Sequence, residues 1–86
     1  MASVAELKAA VQTALQQVTE GQQAIQAAQE KIDEAQQMLA MALDGGTSDA
    51  VGAAHASLSQ AHQQLEDSLS ATMAAVEQAN TYTASL

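Results

Sequence analysis

Val4, Val11, Val18, Ile25, Ile32 and Leu39 recur at every seventh residue through the first half of the chain. That period predicts an α-helix with one narrow apolar seam, the pattern of a coiled coil. With these residues at heptad position a, position d holds Leu7, Ala14, Gly21, Ala28, Ala35 and Ala42, all small after the first. A second stripe follows mid-chain. It carries Val51, Leu58, Leu65, Leu69 and Val76, with His55 and His62 on the same line. The alternating spacing of Leu58, His62, Leu65 and Leu69 fits positions d, a, d, a of a second helix and excludes a strand. The segment between them, ALDGGTSDAV from Ala42 to Val51, is the only break in the pattern.

The ends of both helices are also legible. Ser3 stands three residues before Glu6, the spacing of a capping box, in which each side chain takes up a backbone N–H of the other residue. Thr47 or Ser48 can cap the second helix, with Asp49 favourable in its first turn. The expected architecture is all-α: one domain over 1–86, with a helix at 3–43, a turn at 44–48 and a helix at 49–81. Asp44, Gly45 and Gly46 form the turn, and Gly45 or Gly46 ends the first helix in the left-handed conformation.

A fold-back about residue 45 places the two stripes in register. Leu39 then faces Val51, Ile32 faces Leu58, and Ile25 faces Leu65. In the alternate layers Ala35 faces His55, Ala28 faces His62, Gly21 faces Leu69 and Ala14 faces Val76. Row a of one helix meets row d of the other, as an antiparallel hairpin requires. Glycine inside a helix costs about 1 kcal/mol relative to alanine, and room for Leu69 is one reason for Gly21. A harmless surface glycine is the other reading.

Composition changes this picture in one respect. The chain holds 21 Ala and 13 Gln, one aromatic residue (Tyr82) and no Phe, Trp, Pro, Cys or Arg. Good helix formers are abundant, but aromatic bulk for a core is missing. The first helix alone is about 60 Å long, and a two-helix rod with an Ala-rich seam buries little apolar area. Small scaffolds of this kind gain stability by associating. The expected assembly is a four-helix bundle of two hairpins, a homodimer or a heterodimer with another helical protein. One flank of the seam offers Ala10, Ala24, Met38, Ala54, Ala61, Ala75 and Tyr82 to a partner, and the other is mainly Gln, with Leu15 and Met73. The glutamines have two readings: a neutral, solvated helix surface, or a polar face that hydrogen-bonds a partner helix.

Charge and chemistry narrow the function classes. The net charge is −8, with only Lys8 and Lys31 positive. Nucleic acid and anionic membranes are disfavoured, because both select basic surfaces. No stretch has the roughly 20 apolar residues of a membrane span. The N-terminal segment has no basic region followed by a continuous apolar run, so no cleavable signal peptide is expected. Without Cys there is no disulfide or thiol chemistry. His55 and His62 lie seven residues apart, about 10.5 Å along the axis, where metal pairs on helices are three or four apart. They are expected as partly buried, hydrogen-bonded seam residues, with acidification loosening the seam as they charge. Glu30, Asp33 and Glu34 beside Lys31 read as a solvated face with local ion pairs. No enzyme, metal or cofactor is expected.

A short, acidic, Ala/Gln-rich helical hairpin with DGG (Asp44 to Gly46) near mid-chain resembles the small WxG-type proteins of bacterial type VII secretion and the helical partners of their toxins. The resemblance is architectural and spans the chain. It implies an antiparallel hairpin that dimerises into a four-helix bundle. No Trp is present, so the turn lacks Trp-x-Gly; Tyr82 stands near the family's C-terminal signal, but Leu86 occupies its acidic position. In heterodimers of that family a partner chain can supply both motifs. The function expected is a non-enzymatic interaction module, a type VII substrate or a secretion partner or chaperone of a larger helical protein. It would be cytoplasmic or secreted without a cleavable signal. The alternative is an amphipathic lipid-surface protein, a class that uses a broad, bulky apolar face and basic flanks.

Overall fold

The computed structural model describes residues 2–42 and 49–86. It contains helix α1 (Val4–Ala42) and helix α2 (Asp49–Ala84). The expected turn with Asp44, Gly45 and Gly46, and the caps at Thr47 and Ser48, lie outside the described residues.

At the start of α1 the capping box forms in both directions. The Glu6 N–H donates to Ser3 Oγ at 3.1 Å, and the Ser3 N–H donates to Glu6 Oε2 at 3.3 Å. Two of the donors that a helix start leaves unpaired are thereby satisfied. Helix α2 runs on to Ala84, past the expected end at residue 81. Its last turns are held by hydroxyls that bond back along the helix: Thr81 donates to the Glu77 carbonyl, and Thr83 to those of Ala79 and Asn80. The final N–H groups of Ser85 and Leu86 donate to carbonyls three residues back, tightening the end.

The helices pack side by side and antiparallel. Gln22 meets Thr72, Gln29 meets Glu66 and Gln36 meets Ser59, so numbers fall on α2 as they rise on α1. The product is a rod of 65 × 17 × 15 Å. Its radius of gyration is 19.4 Å, where a compact domain of this length has about 12 Å. Among the described residues none is buried; the most covered side chains are half-buried along the seam.

On α2 that seam is the expected one: Val51, His55, Leu58, His62, Leu65, Leu69, Thr72 and Val76 are all half-buried. On α1 it is wider than expected. The row of Val11, Val18, Ile25, Ile32 and Leu39 is half-buried, and so are Leu7, Ala28 and Ala35 of the expected row three residues on, together with Leu15, Gln22, Gln29 and Gln36 four residues on. Ala14 and Gly21 of the Leu7 row are exposed. A Cβ built on Gly21 would meet nothing within 4 Å, so Gly21 does not make room for Leu69. The glutamines enter the seam by reach: each side chain crosses to the opposite helix and ends in a donor that finds an acceptor there.

Candidate interaction surface

Rows at a seven-residue repeat run nearly parallel to a helix axis, so each row belongs to one side of the rod. The Leu15 row and the Leu7 row flank the Val11 row on opposite sides. Cross-helix polar contacts gather on the first of these sides. The Gln29 Nε2 donates to Glu66 Oε2 at 2.8 Å. The Gln36 Nε2 donates to Ser59 Oγ at 3.0 Å and to the His55 carbonyl at 3.4 Å. Gln22 Nε2 donates at 3.1 Å to the Thr72 hydroxyl, which passes its own proton on to the Leu69 carbonyl at 2.7 Å. Of the two readings of the glutamines, these three are a polar face bonding a partner helix, and that helix is α2 of the same chain. The signal was present in the sequence: Leu15 opens a row that continues at seven-residue steps through Gln22, Gln29 and Gln36, four residues after each aliphatic position.

His62 is half-buried on this side, with Nε2 3.5 Å from Asp33 Oδ1 across the seam. His55 is also half-buried. Among the described residues no group of three or more His, Asp or Glu could hold a metal ion.

The acidic residues follow the same division. Asp33 is one residue past the Val11 row, Glu6, Glu20 and Glu34 are two past it, and Glu30 is five past it. Glu66, Asp67, and the pair Asp49 and Glu77 take those same three places relative to the Val51 row of α2. On a 3.6-residue helix these rows cover the glutamine-bonded side and the outer edges of the rod. The remaining rows, three and six residues past each aliphatic row, form the opposite broad side. That side carries no acidic residue among those described, and its one charge is Lys31. Lys31 leans away along its own helix to Glu34 Oε2 at 3.2 Å.

Most of the partner-binding residues expected from sequence lie on this uncharged side: Ala10, Ala24, Met38, Ala61, Ala75 and Tyr82. Met38 is 71% exposed and Tyr82 50%. Ala54 and Ala61 on α2, and Ala28 and Ala35 on α1, are half-buried where the helices touch; Ala10, Ala24 and Ala75 are open. Leu15 and Met73 belong elsewhere. Leu15 is half-buried in the seam, lining a shallow crevice with Val11 and Thr83 at the free ends of the hairpin. Met73, 60% exposed, stands on the acidic side, in the row of Ser59 and Glu66.

No protein-family model matches this chain, and neither a curated protein nor a solved structure is similar to it. No helix among the described residues is long and apolar enough to cross a membrane.

Proposed function

We propose that this chain is a non-enzymatic helical interaction module that completes its fold by packing against a second helical hairpin in a four-helix bundle. The observation that carries this reading is area. The chain exposes 6216 Å². A compact protein of 8.8 kDa exposes about 4,800 Å². The excess, about 1,400 Å², exceeds the ~800 Å² that each partner contributes to a standard interface. A hairpin with no fully buried side chain among its described residues has little apolar burial to set against the entropy of ordering two long helices. Covering one broad side supplies what is missing.

The finer reading, a type VII secretion substrate or the secretion partner or chaperone of a larger helical protein, rests on the resemblance to WxG-type hairpins alone. Co-purification from the source organism, with mass spectrometry of what accompanies the chain, tests that setting. The module itself is tested by light scattering and circular dichroism across a concentration series. Folding coupled to association makes the melting temperature rise with concentration. A cooperatively folded monomer, melting at one temperature from low to high micromolar, would end this reading.

A further inference from the structure

We infer that the crevice at the free ends of the hairpin is a binding site for a small aliphatic carboxylate. The row that supplies Gln22, Gln29 and Gln36 begins with Lys8 and Leu15, at the same seven-residue step. From Gln22 onward its polar side chains are taken up by α2. Toward the free ends this stops. Leu15 has no polar group to offer, and Lys8 stands exposed one heptad further out. Lys8 and Gln12, one turn apart on α1, line the crevice together with Asn80 of α2. Among the described residues none of these three side chains makes a hydrogen bond or an ion pair. Of the two lysines, Lys31 is paired with Glu34, whereas Lys8 has no counter-ion among the described residues. The crevice lies on the glutamine-bonded side, so a bundle built on the uncharged side leaves it open.

The lining chooses the ligand. One ammonium and two amide NH2 groups suit a single carboxylate: the ammonium supplies the charge, and the amides donate to the remaining lone pairs. A doubly charged phosphate would meet one cation in a chain of net charge −8, too little to hold it. That net charge is spread over a 65 Å rod and is screened beyond about 8 Å at physiological salt, so for a singly charged ligand the nearby ammonium decides. Val11 and Leu15, both half-buried, give the same crevice an apolar floor for a hydrocarbon arm. Thr83 adds no donor, because its hydroxyl proton goes to the carbonyls of Ala79 and Asn80. The volume is about 260 Å³. Sites for drug-sized ligands hold about 300–1,000 Å³, so the arm is a few carbons long.

The test is a titration of the isotope-labelled full chain with sodium pentanoate at constant ionic strength, followed by amide NMR, with pentanol as the neutral counterpart. The expected result is a saturable set of shifts confined to the surroundings of Lys8, Gln12, Asn80 and Thr83, with a dissociation constant in the millimolar range. Pentanol should bind at least about fivefold more weakly, because it cannot use the ammonium as a charged partner. Lys8→Met keeps an unbranched apolar stem and should lose the same factor, while Lys31→Met leaves the binding unchanged. Circular dichroism confirms that both variants keep their helices. Shifts that grow without saturating, that spread along the rod, that are equal for pentanol or that survive Lys8→Met overturn the site. So does a chain with too little helix to form the crevice. The bundle is read separately, from the concentration dependence of melting, and stands or falls without this site.

Discussion

The two broad sides of this rod come from the same two helices and are held by different means. On the acidic side, polar groups of one helix are answered by the other: Gln29 by Glu66, Gln36 by Ser59, His62 by Asp33. On the opposite side the half-buried residues are Leu7, Ala28 and Ala35 of α1 and Ala54 and Ala61 of α2, while Ala14 and Ala75 are open. The first side is finished within the chain. The second is uncharged but for Lys31 among the described residues. Directional bonds fix how the helices pair on the first side, and the second is the one proposed for association.

Adjacent residues give the sharpest way to break this comparison. Gln23 and Ala24 are both exposed, one on each side. Ala24→Glu is expected to weaken association by at least about tenfold, because a carboxylate would be desolvated in the contact. Gln23→Glu should leave the dissociation constant within about twofold, as a solvated surface change does. Analytical ultracentrifugation of both variants checks this, and equal effects would erase the distinction between the sides.

Next in size is a seam substitution. Leu65→Ala is expected to cost roughly 2 kcal/mol, the low end for a leucine truncation, because Leu65 is only half-buried. Chemical denaturation reads that value. At the helix start, Ser3→Ala should cost about 1 kcal/mol by removing the cap that the Glu6 N–H uses.

Gly21→Ala sharpens the comparison from the other direction. Open space around the position predicts a gain in hairpin stability of up to about 1 kcal/mol from helix propensity. A loss in the hairpin would mean that a side chain does approach Gly21 after all. Smallest is Asp33→Asn. The His62–Asp33 pair is well exposed on the carboxylate side, and removing it should change stability by no more than about 0.5 kcal/mol, read by chemical denaturation.

Much of the fold was legible before any coordinates. Ser3 and Glu6 announced the start of α1, the spacing of Leu58, His62, Leu65 and Leu69 set the seam of α2, and a single Gly-containing break between two helical patterns implied a hairpin. Ala10, Ala24, Met38, Ala61, Ala75 and Tyr82, grouped together from spacing, share one side of the rod.

What only the tertiary structure decided is that both neighbours of the Val11 row enter the seam. A row three residues on and a row four residues on lie on either side of it, about 60° and 40° away around the helix, so sequence period alone permits either. Leu7, Ala28 and Ala35 of the first are half-buried, and so are Leu15, Gln22, Gln29 and Gln36 of the second. The glutamines enter because their side chains are long enough to cross to α2, where they find acceptors, and a pattern of apolar positions alone does not register that. Ala14 and Gly21 are left exposed.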